Sequence, residues 1–344
     1  MNPATATAAA VARAEATVLL GRLTKPAGSL GALEDLAVRL AGIERRCPPT
    51  PWPGAVAVFA ADHGVVASGV TPWPQVVTTQ MVANIAGGGA AISVLARQHG
   101  LRLVVVDVGV ASSVDETDNV WCHKVRPGSD DLAVGPALSA ADVDAALVVG
   151  VDVATRLVSG GARCLLTGEM GIGNTTPAAA VIAALTGAST EDCVGRGTGI
   201  NDAMLEHKRK VVASAIARVP RGASTARVLA EVGGLEIVAL AGYIGGGAKA
   251  GVPVLLDGVI TLAGACVAEA MWPGTMLSCV ASHRSVEPGA SVALAHLGLT
   301  PLIDLGMRLG EGSGAATAYP LLVSAARLLG EMATFDGAGV TEKE

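Results

Sequence analysis

Residues 162–185 read ARCLLTGEMGIGNTTPAAAVIAAL, and the character of the chain changes twice within them. A short apolar run gives way to glycines at 168, 171 and 173, and an alanine-rich stretch follows Pro177. The apolar run is continuous rather than alternating, which suits a strand covered on both faces. Thr175 and Thr176 are placed to cap a helix, with Pro177 close to its first turn. Apolar runs leading into a glycine-rich turn and a helical pattern recur at GAVAVFAADHG (54–64), LRLVVVDVGV (101–110), VPVLLDG (252–258) and MLSCVAS (276–282). The chain is therefore expected to be α/β, an open parallel sheet with flanking helices. Ligands of such sheets gather outside the carboxyl ends of the strands. Asp62-His63-Gly64, Gly168-Glu169-Met170-Gly171 and Ser282-His283-Arg284 occupy those positions.

The composition sets limits on function. Of 344 residues, 51% are apolar but only 2% aromatic, so alanine, valine, leucine and isoleucine must build the core. The mean hydropathy of +0.52 is high. Even so, the run GVITLAGACVA between Asp257 and Glu269 falls short of the roughly 20 residues that a membrane span needs. The longer GIGNTTPAAAVIAALTGAST is full of Gly, Thr, Asn and Pro. Arg13 and Glu15 interrupt the N-terminal apolar stretch, unlike a signal peptide. A cytoplasmic protein without membrane partners is the expectation. Six scattered cysteines, with no CxxC pair, fit small buried apolar residues better than disulfides or zinc. The net charge of −6 disfavours nucleic acid. A small-molecule ligand, with no metal and no cofactor, is expected.

The two ends differ from the middle. Residues 8–46 carry a helical pattern broken by GRLTKPAGSLG, and residues 314–334 read as one helix with a bend at Pro320. Residues 1–46 and 314–344 are expected to form a small helical domain, with 47–313 as the large α/β domain. The proline-dense CPPTPWPG (47–54) marks the boundary.

The turn at 168–176 would offer free backbone N–H groups at a helix start, where phosphate is a common guest. It matches neither a Walker loop nor GxGxxG, and a glycine turn between strand and helix is also ordinary punctuation. A second turn, CVGRGTGIND, adds Gly197 and Gly199 ahead of a helix that carries Lys208. Two such turns and a lysine together favour phosphate.

TKPAGSLGALEDLA, FAADHGVVASGV, GEMGIGNTTPAAA, GRGTGI and RLGEGSGAA, in that order from about Gly21 to about Met332, resemble the motifs of the nicotinate-nucleotide:dimethylbenzimidazole phosphoribosyltransferase family. The resemblance implies transfer of phosphoribosyl from nicotinate mononucleotide to 5,6-dimethylbenzimidazole, giving α-ribazole 5′-phosphate and nicotinate. It also implies a homodimer, a Rossmann-like large domain and a small helical domain from both termini.

By the same resemblance Glu311 is the general base. Glu169 lies on the ribose side and Lys208 near the phosphate. Gly171, Gly173, Asn174, Thr175 and Thr176 supply the phosphate loop, with Gly197 and Gly199 in the second turn, and Gln80 lines the base pocket. Alternatives stay open: Glu311 as a helix-start acid, Lys208 as a solvated residue of EHKRK, Met81 as core. Trp73 stands where members of the family can carry a serine near the base. Asp62 and His63 read first as structural, and Lys25 as a residue that docks the small domain. A phosphoribosyltransferase for adenine or a phenolic acceptor differs by a few contacts only. A silent nucleotide-binding protein would have little use for an acid at 311, and an oxidoreductase would want a dinucleotide fingerprint that FAADHGVV lacks.

Overall fold

Eight consecutive residues of the first strand are buried, and their side chains divide between two apolar clusters. Ala55, Ala57, Phe59 and Ala61 belong to one; Val56, Val58 and Ala60 belong to the other. Successive side chains of a strand point to opposite faces, so this division means a sheet covered on both sides. Burying each Val or Phe in this way contributes about 1.5–3 kcal/mol. The structure, a computed structural model, describes residues 3–341. Residues 1–2 and 342–344 of the predicted terminal segments lie outside the described residues.

The strands are β1 (Gly54–Ala61), β2 (Arg102–Gly109), β3 (Val120–Cys122), β4 (Cys164–Met170), β5 (Val254–Leu256) and β6 (Cys279–Ala281). They form one sheet in the order β3-β2-β1-β4-β5-β6, parallel throughout. This is the Rossmann-like, doubly wound order, in which the direction of progression reverses between β1 and β4 and leaves a crevice at their carboxyl ends. Five strands coincide with the five apolar runs. The sequence pattern missed β3, whose three residues are too few to show a run.

Helices Ala140–Ser159, Thr175–Thr186, Leu235–Ala250 and Val259–Met271 cover the first face. Small residues let them approach closely: a Cβ at Gly150 would lie 1.9 Å from the Ala239 carbonyl oxygen. The helices Pro3–Arg22, Ala32–Glu44 and Ser313–Glu331 contribute to the cluster on the opposite face, together with Val77–Ala86 and Ala91–His99. The stretch Val77–His99 is apolar enough in composition to cross a membrane, yet Gly87–Gly89 divide it into those two helices.

The threonine caps expected at 175 and 176 are a correction. Asn174 is the N-cap of the helix, and Thr175 and Thr176 stand inside its first turn. The Asn174 side chain does not cap either, because its Nδ2 donates to Glu169 Oε2.

Candidate active site

Between the carboxyl ends of β4, β5 and β6 the chain encloses a cavity of about 350 Å³. Each strand contributes the residues that follow it: Glu169–Ile172, Asn174 and Thr175 from β4, Gly258–Ile260 from β5, and His283, Ser285 and Glu287 from β6. The segment Arg308–Glu311 and the helix residues Val77 and Met81 close the sides, with Trp73 beside them. A larger cleft of about 540 Å³ lies beside the segments leading into β5 and β6, among Arg45, Lys249 and Trp272. Its lining has no carboxylate. The smaller cavity has three, which makes it the chemical site.

Glu311 has φ 64°, between Gly310 at 86° and Gly312 at 91°. A non-glycine residue in the left-handed region is strained, and such strain is retained where the surroundings impose it, often for function. The glycines explain how the loop fits. A Cβ on Gly310 would lie 2.3 Å from Glu169 Oε1, and one on Gly168 would lie 2.5 Å from the Glu311 carbonyl oxygen. Strand end and loop therefore touch backbone to backbone, with both acids on the cavity wall. Glu311 is buried, and its Oε2 accepts from the Ile92 N–H at 3.4 Å, in the first turn of Ala91–His99. Burial raises its pKa above the usual carboxylate value; the Ile92 N–H opposes this and the Asp257 charge adds to it.

Glu169 is also buried, and its carboxyl is pushed up to about 8, first by burial and next by the charge of Asp257. Asp257 is raised as well, chiefly by burial. The His283 imidazole opposes that rise, with Nδ1 3.8 Å from Asp257 Oδ1. One end of the cavity thus holds Glu169, Glu311 and the His283 imidazole, with Asp257 buried next to them, a setting in which a cationic guest would favour the ionised carboxylates.

The other end is built for an anion. The backbone N–H groups of Gly173 and Thr175 have no acceptor among the described residues, and they stand at the start of the helix Thr175–Thr186. Gly173, Thr175, Gly197 and Lys208 surround an adjoining cavity of about 40 Å³. Lys208 is 2% exposed, so it is not the solvated residue that EHKRK allows. Its Nζ donates to Thr175 Oγ1 at 2.7 Å, and burial lowers its pKa to about 8, opposed by Glu287. Glu287 Oε1 accepts from the Gly197 N–H at 2.8 Å, and Arg308 reaches the Gly197 carbonyl at 3.2 Å.

Of the residues expected at the site, the two cavities gather Glu311, Glu169, Gly171, Gly173, Asn174, Thr175, Gly197 and Lys208. Thr176 is buried behind them, Gly199 lies outside on the second turn, and Gln80 is exposed while its neighbours Val77 and Met81 line the wall. Met81 both packs against the apolar cluster on its face of the sheet and lines the cavity, and Trp73 lines it too, 47% exposed. Asp62 and His63 do not orient each other. Asp62 Oδ2 accepts from the Ala111 N–H, and His63 Nε2 lies 3.0 Å from Glu236 Oε1. Lys25 Nζ donates to Glu34 Oε1 at 2.8 Å, in the first turn of the helix Ala32–Glu44. Sequence reasoning did not select Asp257, Glu287 or Arg308 and left His283 without a role; the positions of Asp257 after β5 and of His283 and Glu287 after β6 were the available signal, and Arg308 had only its place near Glu311.

A family model described as phosphoribosyltransferase matches residues 5–340. A protein of Salinispora tropica called nicotinate-nucleotide--dimethylbenzimidazole phosphoribosyltransferase is 53% identical, over 96% of each chain. One of the same name from Thermus thermophilus is 48% identical, over 95% of this chain and 98% of its own. The crystal structure of CobT from Thermus thermophilus superposes with a TM-score of 0.95 at 47% identity, covering 97% of this chain and all of that one. With the model matched almost end to end and the sheet shared, the chain belongs to this phosphoribosyltransferase family.

Proposed function

We propose that the chain transfers the phosphoribosyl group of nicotinate mononucleotide to 5,6-dimethylbenzimidazole, giving α-ribazole 5′-phosphate and nicotinate. The observation that carries this reading is the pairing of a strained, buried carboxylate on the cavity wall with a phosphate-type loop that lines both this cavity and the one adjoining it. The phosphate takes the N–H groups of the 171–176 loop and the Lys208 ammonium, with the ribose beside Glu169. The base lies against Trp73, Val77 and Met81.

The lone-pair nitrogen of the base attacks the anomeric carbon. The bond to the pyridinium nitrogen breaks, and its electron pair returns to the nicotinate ring and neutralises it. Positive charge passes to the incoming base, whose N–H proton goes to Glu311. A carboxylate with a raised pKa is better matched to that proton near neutral pH. The Glu311 carboxylate also stabilises the cationic charge shared by the ring and the anomeric carbon in the transition state.

We also read the working form as a cytoplasmic homodimer. Residues 1–46 and 314–344 act as a small helical domain beside 47–313. The support for the small domain is that Pro3–Arg22 and Ser313–Glu331 both pack on Ala32–Glu44.

Incubation with nicotinate mononucleotide and a panel of dimethylbenzimidazole, adenine and a phenol tests this reading by product mass. Proton NMR then gives the linkage. A single displacement inverts the β-linked donor to an α product, whereas an enzyme nucleophile would invert it twice. A β product, or a ribosyl adduct on Glu311, overturns the mechanism. A marked preference for adenine or the phenol overturns the acceptor.

A further inference from the structure

The helix Ser313–Glu331 begins directly after Gly312, which stands at the N-cap and has no side chain to offer. The first N–H groups of a helix lack partners within it, and a short polar side chain at the N-cap ordinarily accepts from one of them. Here the acceptor comes from the sheet: Asp257, the residue after β5, takes the Ala315 N–H on its Oδ1 at 2.9 Å. Asp257 is anchored in turn, since its own N–H donates to Thr167 Oγ1 of β4 at 2.9 Å. Ser313 Oγ closes the turn by donating to the Gly310 carbonyl at 2.7 Å. The three left-handed residues 310–312 are thus pinned downstream by a carboxylate rooted in the sheet.

His283 adds a lateral brace. A Cβ at Gly314 would fall 2.0 Å from its Nδ1, so the imidazole rests on the first turn of the helix.

A cap alone does not require an acid here, because asparagine or serine would accept the same N–H. Yet Asp257 is 1% exposed, and its Oδ2 has no hydrogen-bond partner among the described residues. A half-satisfied buried carboxylate is destabilising, and its presence calls for a further role. Its charge acts on both cavity acids: it raises Glu311, and it is the largest neighbouring charge acting on Glu169.

We propose that Asp257 is a positioning residue of the transfer reaction, which caps from the sheet the helix after Glu311 and thereby holds that carboxylate in its left-handed turn at the cavity wall. This rests on Glu311 as the general base. The charged and polar groups around Glu311 are Glu169 from β4, Asp257 after β5 and the Ile92 N–H, with His283 after β6 and Arg308 of its own segment lining the same cavity.

Two variants separate position from charge. Asp257→Asn keeps an acceptor for Ala315 but removes the negative charge, so Glu311 releases its proton more readily. The acid limb of the kcat profile then moves to lower pH. Asp257→Ala also removes the cap. Its kcat falls by about 10²-fold, the scale of a misplacement of about 1 Å, a loss that Asp257→Asn does not share.

Wild-type kcat and an unmoved acid limb in both variants would overturn the proposal. So would a loss of activity fully accounted for by loss of folded protein. Glu311→Gln is measured alongside. If it turns over at the wild-type rate, the base assignment fails; if it loses activity while both Asp257 variants match wild type, this inference alone fails.

Discussion

Nζ of Lys208, on the helix Asp202–Ala217, lies 2.7 Å from Oγ1 of Thr175, the first residue of the helix Thr175–Thr186. One contact therefore joins a buried cation to the helix start where the backbone offers N–H groups. Lys208→Met should weaken nicotinate mononucleotide binding by about 30-fold or more, because a buried charge partner is worth about 2 kcal/mol or more. The folded state should survive, since an apolar side chain replaces a buried amine. The amine is held down at about 8, so wild-type affinity should also decline as the pH passes that value and the charge is lost. Calorimetric titrations at pH 7 and pH 9 check both points. Unchanged affinity in the variant would remove Lys208 from the phosphate site.

Glu311→Gln preserves the shape of the side chain and removes the proton acceptor. Turnover with dimethylbenzimidazole should fall by about 10²-fold or more, with KM for the nucleotide unchanged. The melting temperature should not drop, because burial already disfavours the charged form at this position. Steady-state kinetics with saturating base decide the matter, and near-normal kcat would sink the assignment.

The carboxyl of Glu169 gives a pH signature of folding. Its pKa is about 8 in the folded chain against an ordinary value of 4.5, so the folded state binds the proton more tightly. Stability from this group is full below the lower value and is lost as the pH rises through the higher one. Glu169→Gln should flatten that decline, leaving the variant relatively more stable at pH 8.5 than at pH 6. Thermal melts of both proteins across this range check it, and parallel curves would show that Glu169 is not the group responsible.

The sheet was legible because parallel strands are buried on both faces and so read as unbroken apolar runs. GAVAVFAA needed no context to be recognised. Val120–Cys122 was not legible: three residues beside Asp118 and Asn119 carry no period. Glu311 and the 168–176 loop stood out through their glycines, which mark positive φ and close backbone approach. Asp257 gave no such mark. Its role depends on β5 lying next to β4 and on the helix at Ser313 starting above it, neither of which is local in sequence. The cap was misread because a proline at the first helical position would put the N-cap at Thr176 or Thr175, whereas the helix starts at Thr175 and the Asn174 side chain is drawn to Glu169 by tertiary structure.

The chain has four tryptophans. Trp121 is buried beneath Arg156, Trp52 lies under Arg327, and Trp272 borders the larger cleft. Trp73 alone lines the smaller cavity, half open to water. A chain so poor in aromatic residues thus has its optical reporter built into the acceptor wall. Quenching or a blue shift of that single emitter, read in a chain whose other three tryptophans are replaced by phenylalanine, would follow the arrival of the base without any label.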